Sequence, residues 1–73
     1  MDDKTITKAF EIVKKANDPE YDFMGQYSDY LTGTGERSVD YSEYTIPIDE
    51  YYYLSISFIE FSLSTFSVIE FEN

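Results

Sequence analysis

Glu43-Tyr44-Thr45-Ile46-Pro47-Ile48 and, after Asp49-Glu50, Tyr51-Tyr52-Tyr53-Leu54-Ser55-Ile56-Ser57-Phe58 change character at almost every residue. Tyr44, Ile46 and Ile48 alternate with Glu43, Thr45 and Pro47. Tyr52, Leu54, Ile56 and Phe58 alternate with Tyr51, Tyr53, Ser55 and Ser57. A period of two sends successive side chains to opposite faces of a pleated ribbon, so these are two strands with one apolar face each. Ile48-Asp49-Glu50-Tyr51 reads as the tight connection that makes them antiparallel neighbours.

Toward the C-terminus, Phe61-Ser62-Leu63-Ser64 reads as a second connection, and Phe66 to Phe71 as a third strand. The parity of its apolar residues changes at Val68-Ile69, and a β-bulge there would restore a single apolar face. Pro47 has no amide to donate to a ladder, so an edge or an irregularity is expected at its strand. Serines and glutamates interrupt Leu54 to Phe71 too often for a membrane span. Ile59, Phe61, Ile69 and Phe71 are expected on the side away from the rest of the core, as apolar surface that a second copy or a bound target would cover.

Toward the N-terminus the period lengthens. Ile6, Ala9, Phe10, Val13 and Ala16 recur at helical spacing, while Lys4, Lys8, Glu11, Lys14 and Lys15 take the other side. An amphipathic helix over about 3–16 follows, with Asp2 or Asp3 to cap its first amides, Lys14 and Lys15 at the negative end of its dipole, and Asn17-Asp18-Pro19 to stop it. Residues 17–38 lack a clean period. They read mostly as loop, with a short strand or helical turn between Gln26 and Leu31 and a turn at Thr32-Gly33-Thr34-Gly35. The expected fold is therefore α+β: an N-terminal amphipathic helix packed on a three- or four-stranded antiparallel sheet, in α-β-β-β meander order, with the strands within about 39–72.

At 73 residues the chain is expected to be a single domain, 1–73. It contains neither Cys nor His, which removes disulfides, thiolate nucleophiles, imidazole bases and the usual zinc sites. The start Met1-Asp2-Asp3-Lys4 has no apolar segment behind it, and the cytoplasm is the expected location. With 15 acidic against 5 basic residues the net charge is −10. Four lysines against three carboxylates leave residues 1–16 at +1, whereas twelve carboxylates against Arg37 alone leave residues 17–73 at −11. A body this size is roughly 30 Å across, and duplex DNA of that length carries about 17 phosphates. The charge density of the loop and sheet thus lies within a factor of about two of that of DNA. Such a surface disfavours nucleic acid and anionic membrane, and favours a basic protein partner.

The acids are interleaved with tyrosines: Glu20-Tyr21-Asp22, Asp29-Tyr30, Asp40-Tyr41, Glu43-Tyr44 and Asp49-Glu50-Tyr51-Tyr52-Tyr53. Tyrosine brings contact area with a polar tip and stacks on arginine, which suits an Arg/Lys-rich groove. Glu70 and Glu72, two apart on a strand, would sit about 6.7 Å apart on one face, close to a phosphate repeat. Tyr44 and Tyr52 are expected to complete the core, with Tyr51 and Tyr53 on the opposite face. Asp18-Pro19-Glu20-Tyr21-Asp22 starts like a calcium loop, but Phe23 stands where glycine is needed. Gly33-Thr34-Gly35 lacks the lysine and third glycine of a phosphate loop. No catalytic residue, metal site or cofactor is assigned, and the chain is not read as an enzyme.

In size, charge and tyrosine–carboxylate mixture the chain resembles the small acidic inhibitors that phages and mobile elements direct against nucleic-acid-handling enzymes: anti-CRISPR proteins, restriction inhibitors and uracil-DNA glycosylase inhibitors. The resemblance implies a stoichiometric inhibitor that occupies the basic nucleic-acid groove of its target in the host cytoplasm. It also implies Asp40, Glu43, Asp49, Glu50, Glu70 and Glu72 as phosphate surrogates, with Tyr51 and Tyr53 as anchors. The other readings are an immunity-type or regulatory module that binds a basic partner without mimicking DNA, and an assembly protein that forms a homodimer through a sheet edge.

Overall fold

The computed structural model describes residues 1–35 and 40–72. Helix α1 (Asp3–Ala16) is followed by one turn of helix, α2 (Phe23–Gln26), a 3₁₀ turn over Ser28–Tyr30, and strands β1 (Leu31–Thr34), β2 (Tyr41–Pro47), β3 (Tyr52–Ile59) and β4 (Ser62–Glu70). The strands form one antiparallel sheet in the order β1-β2-β3-β4, with α1 on one face. The α+β reading holds, and the sheet has four strands.

The two alternating strands, β2 and β3, make its centre. Tyr44, Ile46 and Ile48 with Leu54, Ile56 and Phe58 form the buried face, and Leu54 and Ile56 are wholly inaccessible. The register pairs Tyr44 with Ile56 and Ile46 with Leu54, so the apolar positions of both strands share one side. Pro47 is the last residue of β2, and β1 accompanies β2 only as far as Tyr44. Pro47 therefore lies on a locally unpaired edge, where its missing amide costs no ladder bond.

Helix α1 has the expected bounds but is rotated from the expected face. Thr5 and Ala9 are buried, and Ile12, Val13 and Ala16 pack on the core, whereas Ile6 and Phe10 remain exposed. The cause is polar: the Thr5 hydroxyl lies 2.7 Å from Asp49 Oδ2, which turns this residue toward the sheet.

Three further expectations change. β1 falls within 17–38, where a loop and a turn at Thr32–Gly35 were expected. Its side chains are mostly exposed, so it lacks an alternating signal and exists by pairing with Ser42, Glu43 and Tyr44 of β2. The expected strand start near 39 and the loop end near 38 lie outside the described residues. The bulge expected at Val68-Ile69 occurs instead at Ser64, where the register jumps from Ser57↔Thr65 to Phe58↔Leu63. Beyond it β4 runs regularly, with Phe66 and Val68 on the helix side and Ile69 on the other. The parity change at Val68-Ile69 thus reflects apolar residues on both faces of an edge strand. Lastly, the β3–β4 connection is the two-residue turn Glu60-Phe61, tighter than expected.

Phe23 is a core residue that no periodicity announces. Its ring stacks on Tyr27 at 4.5 Å and meets Phe58 at 5.2 Å and Tyr44 at 5.5 Å. The single turn of α2 is fastened by its cap, the Asp22 carboxylate accepting from the Gly25 amide. A Cβ at Gly25 would collide with that carboxylate. Asp18 likewise accepts from the Glu20 amide, so the two outer acids of the calcium-like run are spent on local turns. Among the described residues, no helix is long and apolar enough to cross a membrane.

Candidate interaction surface

Each end of the sheet carries carboxylates. At one end lie the β2–β3 turn and the end of β4. Glu70 pairs with Tyr52, and the Phe71 amide donates to the Tyr51 carbonyl at 2.8 Å, which ties the C-terminal tail to the turn. Asp49, Glu50, Glu70 and Glu72 are thereby gathered with Tyr51 and Tyr53 from two stretches about twenty residues apart in sequence. Tyr51 is 64% exposed. Tyr53 lies across the sheet from α1, half-buried, with its ring 5.0 Å from that of Phe71.

The helix adds to this end. Asp2 caps α1 by accepting from the Thr5 amide at 2.9 Å, and the same Oδ1 lies 2.9 Å from the Thr5 hydroxyl. Thr5 therefore stands between the carboxylates of Asp2 and Asp49 with one hydroxyl proton to donate. Its amide and hydroxyl hold the Asp2 carboxyl below its ordinary value of 3.8. Asp49 is also held below 3.8, first by the Thr5 hydroxyl and then by the Tyr51 and Tyr52 amides, 2.8 and 2.9 Å from its Oδ1, with Lys8 adding attraction. The sequence marks Asp2 as a cap, but its arrival beside Asp49 is a tertiary event.

Six of the eight residues singled out in sequence are therefore together, and two are apart. Asp40 lies at the opposite end, where its carbonyl accepts from the Glu60 amide at 2.7 Å. Glu43 lies on the sheet face away from α1, half-buried beside Ser57 of β3, and accepts from the Tyr41 hydroxyl at 3.0 Å. That bond, and the carboxylate charge a phenolate would face, raise the Tyr41 hydroxyl above its usual 10.0. β2 spans about 20 Å from Tyr41 to Pro47, so Asp40 and Glu50 cannot share one compact footprint.

The far end carries Asp40 and Glu60, with Asp18 and Asp22 bordering an open depression of about 340 Å³ beside Phe61. Glu60 and Phe61 adopt φ of 52° and 66°, the left-handed region at two successive non-glycine residues. Phe61 is 70% exposed. The sequence places a connection at Phe61–Ser64, but nothing in it flags the left-handed conformation, since neither Glu60 nor Phe61 is of the kind that favours it.

The face away from α1 is mainly hydroxylic between its apolar margins. Thr32 Oγ1 lies 3.1 Å from Thr45 Oγ1, Ser57 Oγ lies 2.8 Å from Thr65 Oγ1, and Ser55 stands between Thr45 and Ser67 in the register. Ile59 and Ile69 lie at its two ends and remain exposed, as expected for apolar surface across from the helix. Among the described residues, no group of three or more carboxylates is arranged to hold a metal ion. Compared with models of protein families, curated proteins and solved structures, the chain matches none.

Proposed function

We propose that the protein is a stoichiometric inhibitor whose acidic, tyrosine-bearing end occupies a basic nucleic-acid-binding groove of a target enzyme complex in the host cytoplasm. Glu50, Glu70 and Glu72 take the place of phosphates, and Tyr51 and Tyr53 supply contact area and stack on arginine. The observation that carries this reading is the tie between the β4 tail and the β2–β3 turn, which assembles these five side chains at one end. Asp49 acts from within: its oxygens hold the turn and the helix, and so orient Glu50 and Tyr51. Electrostatic attraction of this kind works mainly through the association rate and weakens with salt.

Affinity capture from host lysate, with and without nuclease treatment, identifies the target. The purified pair is then expected to lose affinity steeply between low and moderate salt, and DNA or guide RNA is expected to compete. Replacing Glu50, Glu70 and Glu72 together by Gln should slow association several-fold, whereas Asp40→Asn should not. Binding that survives high salt and is untouched by nucleic acid sinks the mimicry. The division of carboxylates between two ends favours a second reading in that event: an immunity-type module that recognises a basic partner by shape, with charge only assisting.

A further inference from the structure

We propose that β4 is a dimerisation strand: two copies pair antiparallel along it about a two-fold axis perpendicular to the sheet, with both α1 helices on the same side of the seam. The two edges of the sheet differ in a way that points there. β1 is four residues long, irregular between Leu31 and Gly33, and contains a glycine, all features that blunt an edge. β4 is nine residues long, and residues 62–69 carry no charge, no proline and no lysine. Beyond the bulge at Ser64 it runs regularly to Glu70, presenting a row of backbone amides and carbonyls with no neighbouring strand among the described residues.

Apolar surface follows the same edge. Between α1 and β4 runs a groove of about 150 Å³ lined by Ile6, Ala9, Phe10, Val13, Phe66 and Val68. Phe10 is 57% exposed and Phe66 48%, although both face this groove. Pairing centred on Ser67 sets Phe66 of each copy opposite Val68 of the other, and brings Ile6 and Phe10 of the two helices over the seam. Nothing polar is left unpaired by such a contact, because each strand edge satisfies the other.

Charge directs a basic partner elsewhere and leaves this flank open to a second copy. A basic partner is drawn to the carboxylates at the sheet ends, whereas this flank combines the uncharged stretch of β4 with α1, whose segment is the only net positive part of the chain. Antiparallel pairing also keeps Glu70 of one copy away from Glu70 of the other, opposite Ser64. The area suits a weak, concentration-dependent dimer: pairing over residues 64–70 gives a strip about 23 Å long, and with the 19 Å shortest extent of the molecule as its depth this is roughly 900 Å² over two copies, in the range of transient interfaces.

Sedimentation or light scattering of the intact chain from about 1 µM to about 1 mM tests this, with twice the chain mass expected in the upper part of the range. Added salt should strengthen the dimer by screening the −10 charge of each copy. Phe66→Lys should weaken association by about 100-fold or more, and Phe10→Lys, on an exposed helix position, should weaken it less. Hydrogen exchange on the unaltered protein needs no variant to fold: outward amides of residues 65–70 should gain protection as concentration rises. A chain that stays monomeric at about 1 mM overturns the proposal, whether or not it binds extended peptides along β4. So does a dimer that tolerates Phe66→Lys but is broken by Ile69→Lys, since that contact would lie on the opposite face.

Discussion

β3 is reversed at both of its ends, and the two reversals are built from different physics. At the β2–β3 turn a side chain does the holding: Asp49 accepts from the Tyr51 and Tyr52 amides and is bonded to the Thr5 hydroxyl, so one carboxylate fixes both the loop and the docking of α1. At the β3–β4 turn the backbone itself is bent into the left-handed region at Glu60 and Phe61. That geometry matches the twist of a tight hairpin, but each such residue costs roughly 1 kcal/mol relative to its preferred conformation. Strand pairing on both sides, Ile59 with Ser62 and Phe58 with Leu63, holds the turn closed. One turn carries a side chain that bonds it from within, whereas the other has only the pairing of the strands beside it.

The sharpest way to break this contrast is Asp49→Ala. It removes acceptors from two amides and from a buried threonine at once, so thermal unfolding should show a greater loss of stability than any single change at the opposite turn, together with loosening of α1. The loss depends on pH. Because the folded protein holds the Asp49 carboxyl below 3.8, its contribution is complete above that value and fades as pH falls through the lowered pKa. The gap in melting temperature between the two proteins should therefore be full near neutrality and close on acidification below about 3.8. A gap that stays constant down to strongly acidic solution would mean that the carboxylate charge is not what matters.

Next in size is Thr5→Val, which keeps the shape of a side chain that is only 3% exposed but removes the hydroxyl shared by the two carboxylates. A loss of about 1.5 kcal/mol is expected in denaturant unfolding, as for hydrogen bonds to charged groups. No loss would indicate that the Asp2 cap and the Asp49 turn each hold without it. At the opposite turn the sign reverses: Phe61→Gly should stabilise by about 1 kcal/mol, because glycine adopts positive φ without strain. A destabilised variant would show that the Phe61 ring contributes packing that outweighs the strain. The smallest effect is expected at Tyr41, which stands opposite Ile59 at the far end of β2. Glu43→Gln should lower the titration of its phenol back toward 10.0 in an ultraviolet pH titration, and an unchanged midpoint would rule out the Tyr41–Glu43 bond in solution.

Legibility in the sequence followed the same division. The Asp49 turn could be anticipated, since an Asx residue between two alternating runs announces its own chemistry. A reversal after β3 was legible as the Phe61-Ser62-Leu63-Ser64 connection, but its two-residue form at Glu60-Phe61 was not, because neither residue type favours the left-handed conformation. Helix α1 was legible in extent but not in rotation. Periodicity pointed to Ile6 and Phe10, while a polar contact from a residue 44 positions away turned Thr5 inward. β1 and Phe23 escaped for a shared reason: their segment has no period, and their roles arise from pairing with β2 and from the rings of Tyr44 and Phe58. For the candidate surface, composition singled out acids and tyrosines, yet distance along β2 separated Asp40 from Glu50.

Alternation alone determined that residues 43–58 are two strands sharing a buried face, and amphipathic spacing determined a helix ahead of them, because both patterns record which side of a local element meets water. The acid excess, likewise a property of the chain, weighs against nucleic acid and anionic membrane as partners. Which carboxylates became neighbours, which were consumed in holding the turn and the helix, and which strand was left with an open edge were decided only on folding. Those outcomes depend on register and strand order, and these are set by pairings between residues far apart in the chain that no local pattern encodes.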